Sequence, residues 1–161
     1  MPRTLPSAAP AAPRGCTSFK LRQLTRCVAS RYDVELAAAG LKSTQYSLLS
    51  HVQALGPVAP GELARAMTMD ASTLTRNLKP LLAAGWVAMQ PGADGRSRRV
   101  ELTAAGRAKR AEAQRRWRAA QEGLQAALGL ERTAALHALL DDALARLDPS
   151  APVASEAGDA R

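Results

Sequence analysis

Apolar residues recur at helical spacing along most of the chain and give way to short alternating runs only between Trp86 and Thr103. Leu21, Leu24, Val28, Tyr32 and Leu36 predict a first helix over about 17–39, with Arg22, Arg26 and Arg31 interleaved and Gly40 as its stop. Leu48, Leu49, Val52 and Leu55 mark a second over roughly 44–55, capped by Ser43 and ended by Gly56-Pro57. Pro60 opens a third, PGELARAM (60–67), at the one helical position where a missing N–H does no harm. After a turn at Thr68-Met69, Leu74, Leu78, Leu81 and Leu82 define the apolar face of a fourth helix over 70–85. Asp70 is its N-cap and Gly85 its C′ residue. Pro80 removes the hydrogen bond to the carbonyl of Arg76, so a bend with continuation is expected there. Two short strands follow in WVAMQPGADGRSRRVELT (86–103), with Val87 and Met89 on one face and Val100 and Leu102 on another. Thr103 caps a helix running to about 126, Gly129 breaks it, and a last helix spans about 131–147. Leu136, Leu139, Leu140, Ala143, Leu144 and Leu147 form a tight apolar stripe on that last helix. The fold class is therefore mainly α with a small β-hairpin.

Helix, turn, helix and an arginine-bearing hairpin, in that order, make a winged helix. Taken singly, a polar helix start is solvated surface and a basic hairpin is a surface loop; their order points to DNA. The first turns of the fourth helix carry Ser72, Thr73, Thr75, Arg76 and Asn77, whose hydroxyls, amide and guanidinium suit phosphate oxygens and major-groove base edges. Lys79 is placed near phosphate. The hairpin loop PGADGRS is too polar and glycine-rich to be core, and Arg96, Arg98 and Arg99 sit at or beside its tip.

Three stretches resemble the MarR-type winged-helix transcriptional regulators: LKSTQYSLLSHVQALGPVAPGELARAM, MDASTLTRNLKPLLAAGWV and DGRSRRVELTAAGR. The resemblance covers about 17–147. The pattern Asp-x-Arg, five residues, Leu-Thr-x-x-Gly is met by Asp94, Arg96, Leu102, Thr103 and Gly106. It implies that Arg96 looks into the minor groove, with Arg98 there or at the backbone, and that Asp94 helps hold the loop. It also implies a two-fold dimer through interlocked terminal helices, reading half-sites of a near-palindromic operator ~34–36 Å apart. The outer helices agree with this, since their apolar faces exceed what a lone winged helix covers. The expected organisation is a disordered tail at 1–15, one domain at 16–148 and a second disordered tail at 149–161. Within the domain, the DNA-binding unit is about 42–103 and the dimerisation helices are about 17–39 and 104–147.

A chain of 161 residues has room for one ordinary domain with a real core. Its net charge of +8 and pI near 10.5 suit a polyanionic partner. The charge is concentrated where the DNA reading needs it: 96, 98, 99, 107, 109 and 110 are basic against the single acid Glu101, whereas acids prevail from Asp141 onward. No apolar run approaches the roughly 18 residues of a spanning helix, and the Pro/Ala-rich start lacks the apolar region of a signal peptide. A cytoplasmic protein with reduced cysteines is expected. No nucleophile, metal or phosphate-loop constellation is present, so neither enzyme nor cofactor is expected.

Two modes of control are open. The commoner one in the resembled family is a small aromatic or phenolic acid between the dimer helices and the winged helix, which here implies Arg22 or Arg26 for the carboxylate and Tyr46, His51 and Trp117 for the ring. The alternative is a thiol switch at Cys16 and Cys27. These lie 27 − 16 = 11 positions apart, roughly 16 Å along a helix, too far for a bridge within one chain. Phe19, Leu21, Arg26 and Tyr32 resemble the first helix of the peroxide-sensing branch, but Ser18 occupies the reactive cysteine's place. His137 is expected at the surface or at an interface. A sequence-neutral architectural DNA binder and a helical adaptor that binds protein are the rival classes.

Overall fold

The computed structural model describes residues 14–92 and 95–147. The expected tails therefore lie outside the described residues, apart from 14 and 15. The elements are α1 (Thr17–Ala37), α2 (Ser43–Leu55), α3 (Pro60–Ala66), α4 (Ala71–Ala83), β1 (Val87–Pro91), β2 (Arg98–Leu102), α5 (Ala104–Leu128) and α6 (Leu130–Leu147). They fall into two compact units, one through Trp117 and one from Arg118.

Local chemistry sets the helix ends in the first unit. Gly40, at φ 65°, lets the Leu41 N–H reach back to the Leu36 carbonyl at 3.1 Å and so ends α1. The start of α2 differs from expectation. Lys42 is its N-cap, with its own N–H donating to Gln45 Oε1 at 2.9 Å, and Ser43 is already helical, its N–H donating to Asp33 Oδ1. A serine hydroxyl is dispensable there because Asp33, ten residues back on α1, supplies the acceptor. In α3 Pro60 takes the first position and Glu62 accepts from the Ala59 N–H at 3.3 Å. Thr68 turns the chain between α3 and α4 at φ 51°, a left-handed conformation that strains a β-branched residue. Helix α4 runs on through Pro80 to Ala83. Gly85, at φ 68°, then lets its own N–H reach Leu82 O and the Trp86 N–H reach Leu81 O, both at 3.0 Å.

Strands β1 and β2 pair antiparallel in the register Val87↔Leu102, Ala88↔Glu101, Met89↔Val100. Directly paired residues share a face, so the four apolar side chains expected on two faces lie on one. Val58 bridges the other edge of β2, with N–H to carbonyl distances to Val100 of 3.0 and 2.8 Å. The wing is thus stitched to the loop between α2 and α3. Leu36, Leu48, Leu49, Leu63, Leu74, Leu81, Val52 and Val100 are the largest fully buried side chains, so every element from α1 to β2 except β1 and its loops gives one to the centre of the core. Each contributes roughly 1.5–3 kcal/mol by leaving water. Leu82, expected on the same face of α4, is instead 38% exposed.

In the second unit Gly129, at φ 83°, separates α5 from α6, and Thr133 donates through its hydroxyl to the Gly129 carbonyl at 3.0 Å. The apolar stripe of α6 faces outward: Leu139, Leu144 and Leu147 are about two-thirds or more exposed. Among the described residues no helix is long and apolar enough to cross a membrane.

Candidate nucleic-acid interface and ligand cleft

The start of α4 is built around Asp70. Its carboxylate accepts from the Thr73 N–H at 2.7 Å, from the Ser72 hydroxyl at 2.6 Å and from the Thr73 hydroxyl at 2.7 Å. Of the donors and acceptors expected of Ser72 and Thr73, the hydroxyl protons are committed to Asp70, leaving oxygen lone pairs as what they present. The Thr75 hydroxyl is likewise turned back, donating to the Ala71 carbonyl at 2.8 Å. Asn77 is half-buried and its amide donates to Met69 Sδ at 3.9 Å. Arg76 and Lys79 are exposed. Arg76 therefore has the donor fork best placed to meet an outside acceptor.

The hydroxyl and amide donors hold the Asp70 carboxyl well below its ordinary value of 3.8. A lowered native pKa means the carboxylate's stabilising effect is complete above the unfolded carboxyl's pKa and fades as the pH falls through it toward the native value. We expect Asp70→Ala to be less stable than the native chain at pH 7 and the gap to shrink below about pH 4. Urea melts at the two pH values check this.

In the wing, the Gly92 N–H donates to the Ser97 carbonyl at 2.8 Å; Arg96 lies within the loop so closed and Arg98 opens β2, both exposed. Asp94 lies outside the described residues. Arg99, grouped with the tip arginines from sequence, has a different job: its Nη1 donates to the Pro57 carbonyl at 2.8 Å. With the Val58–Val100 bridge it fixes the wing against the α2–α3 loop.

A second feature is an open cleft of about 420 Å³ between α1, α2 and α5. Its floor is aromatic. Tyr46 stacks on Trp117 with ring centroids 6.0 Å apart, and Tyr32 meets Trp117 at 6.5 Å and 52°. Burial pushes the Tyr32 phenol above its ordinary 10.0, so it stays a donor at neutral pH. His51 Nδ1 lies 2.8 Å from the Ser47 carbonyl, which only accepts, so Nδ1 carries a proton and donates there. Arg110 closes one side. Its guanidinium meets only neutral oxygens among the described residues, Ser50 Oγ at 3.4 Å and Gln114 Oε1 at 3.3 Å.

The geometry has known counterparts. Residues 39–97 match the model of the MarR family. The transcriptional regulator MosR of M. tuberculosis, solved in complex with DNA, is 33% identical over 80% of this chain and 98% of its own, with a TM-score of 0.66. The chain belongs to the MarR family. Its members are transcriptional regulators, which are not enzymes. The uncharacterized HTH-type regulator YwoH of Bacillus subtilis is 33% identical over 84 residues, 52% of this chain and 61% of that protein. The chain thus spans about three-fifths of this curated relative's length. A mutant MarR of E. coli, complexed with operator DNA, shares the fold at a TM-score of 0.73 and 22% identity, covering 79% of this chain and 92% of its own.

Within this MarR-family chain the structure gathers Tyr46, His51 and Trp117 into one cleft, as the sequence grouping had them. Arg22 and Arg26 do not join them; both are exposed on α1, and the arginine at the cleft is Arg110. No spacing in the sequence marked it, because its role depends on α5 packing against Ser50, sixty residues earlier. Cys16 and Cys27 are both exposed, free thiols. His137 is exposed on α6.

Proposed function

We propose that the chain is a homodimeric, cytoplasmic, sequence-specific DNA-binding regulator: a repressor held on a near-palindromic operator and released by a small aromatic acid in the cleft. One observation carries the DNA reading. Helix α4 offers Arg76 and Lys79 to solvent from a turn already rigidified by Asp70, while a separate basic hairpin is braced through Arg99. Rigid placement of a donor fork and of phosphate-directed cations is what reading base edges from a fixed register requires. The outward apolar residues on α1 (Phe19, Leu21, Val34) and on α6 (Leu139, Leu144, Leu147) support a two-fold partner, since burying them offsets the cost of association.

The test is a gel-shift titration on the DNA flanking the gene, at two salt concentrations, with random duplex as competitor. A shift that survives competitor is expected. Binding that vanishes equally on both duplexes as salt rises is the signature of a sequence-neutral architectural protein. No salt-dependent duplex binding at all is that of a protein-binding adaptor.

The cleft's chemistry supports an aromatic acid as effector: two stacked rings for an aromatic face, and Arg110, with only neutral partners among the described residues, for a carboxylate. A charge-assisted hydrogen bond of this kind is worth about 1.5–3 kcal/mol, or roughly 10- to 100-fold in affinity. Arg110→Gln is expected to lose that much for 2-hydroxybenzoate while leaving 2-hydroxybenzamide nearly unchanged. Titrations followed by tryptophan emission compare the two ligands. An equal loss for both removes Arg110 from the role.

A further inference from the structure

The first turns of α5 are tied to two places at once. Towards the recognition helix, the Thr103 hydroxyl donates to the Gly85 carbonyl at 2.7 Å, and the Thr103 N–H to the Trp86 carbonyl at 3.1 Å. The Lys109 ammonium sits 5.5 Å from the centre of the Trp86 ring, a cation–π distance. The end of α4 and the start of α5 therefore move together. Towards α1 and α2, the ties come from two consecutive residues. Lys109 Nζ donates to the Ala39 carbonyl at 3.1 Å, and Arg110 Nε approaches Ser50 Oγ at 3.4 Å. Ala39 follows the C-cap of α1, so its carbonyl lies beside the electronegative end of that helix, where a cation is favoured. Glu112, 2.9 Å from the same ammonium, holds it from the next turn of α5.

We propose that Lys109 is the positioning residue through which the state of the cleft is felt at the recognition helix. The inference rests on the reading of the cleft as an effector site and of α4 as the DNA-reading helix. An occupant that draws Arg110 away from Ser50 undoes one of the two ties. The other, Lys109 to Ala39, then becomes the pivot about which the block of Trp86 and α4 is displaced. Its side chain is only 23% exposed, so water does not screen these contacts fully. Coupling of this sort needs an element whose arrangement both sites bias. The ammonium, shared between the end of α1 and the indole that follows α4, is such an element.

The test uses the full chain and no effector. Ser50→Leu mimics occupancy by filling the cleft at the hydroxyl that Arg110 approaches; where it fails to fold, Ser47→Phe on the same wall replaces it. The filled-cleft change is made in the native, Lys109→Met and Lys109→Arg backgrounds. Two readouts are taken: affinity for the duplex that shifts in the titration above, and the Trp86 signal in fluorine NMR of protein labelled with 5-fluorotryptophan. The chain has two tryptophans, so Trp86→Phe assigns the signals. We expect filling to cost about tenfold in affinity and to move the Trp86 signal. In Lys109→Met both effects should fall below threefold and to near zero, respectively, and Lys109→Arg should restore them. Equal fold losses and equal signal shifts in all three backgrounds overturn the proposal, as does a filled cleft that moves neither readout. If no variant binds duplex, the DNA reading fails by itself, and the Trp86 signal still decides whether Lys109 couples the cleft to the end of α4.

Discussion

Replacing Gly106 by alanine is expected to destabilise the fold by about 3 kcal/mol, at the upper end of overpacking costs. For a chain of this size that lowers Tm by roughly 6–12 °C. Gly106 is buried in the first turn of α5, where its N–H donates to the Thr103 hydroxyl at 3.0 Å. A Cβ there would fall on the Trp86 carbonyl oxygen and lie 3.2 Å from the Trp86 Cα. The obstruction is backbone, and that carbonyl is itself held by the Thr103 N–H. Relief requires α5 to lift away from Gly85–Trp86, which breaks the hydroxyl bond to the Gly85 carbonyl as well. Gly123, further along α5, has nothing near its absent Cβ. Gly123→Ala is therefore expected to stabilise by about 1 kcal/mol through helix propensity alone. Thermal and urea melts of the two variants should move in opposite directions. A Gly106→Ala midpoint within a degree or two of native would mean that α5 is not clamped to the end of α4.

That clamp gives the Leu-Thr-x-x-Gly pattern a physical meaning that a string comparison lacks. Thr103 is at once the cap of α5 and the donor to Gly85, and Gly106 is the residue small enough to let α5 approach. What was legible beforehand was local. Leu74, Leu78 and Leu81 share a face because the helix repeats every 3.6 residues, and Asp70 caps because a carboxylate accepts from the next turn wherever it stands. What was hidden depended on partners far along the chain. Leu82 belongs to the same repeat, yet α4 runs out of core to cover it. Val87 and Val100 share a face only once the register of β1 on β2 is known. Arg99 reads as one more tip arginine until Pro57, forty-two residues earlier, is found beneath it. The same holds for Arg110 at the cleft, and for Ser72 and Thr73, whose types were noticed but whose protons face inward.

Arg76→Ala and Arg98→Ala are expected to fail in different ways, and the difference tests the proposed mode of recognition. Arg76 is exposed on α4. Behind it Ser72, Thr73 and Thr75 have turned their hydroxyl protons back onto Asp70 and Ala71. Those three oxygens can accept from base amino groups but have no proton left to offer, so Arg76 carries the strongest donor fork of this surface. A guanidinium fork matches the two acceptors of guanine in the major groove, a contact worth about 1–3 kcal/mol against the wrong base. Arg76→Ala is thus expected to weaken operator binding roughly 10- to 100-fold for each half-site of the proposed dimer and to leave random duplex nearly untouched, relaxing specificity. Arg98 begins β2 beside the wing loop, exposed and well away in sequence from any base-reading helix. Its proposed contribution is to the phosphate field, so Arg98→Ala should weaken all duplexes alike and reduce the slope of log affinity against log salt by about two, one for each subunit of the proposed dimer. Titrations of both variants on operator and random duplex at several salt concentrations separate the two effects. If Arg76→Ala loses equally on both DNAs, Arg76 is a phosphate ligand and its assignment to base reading is wrong.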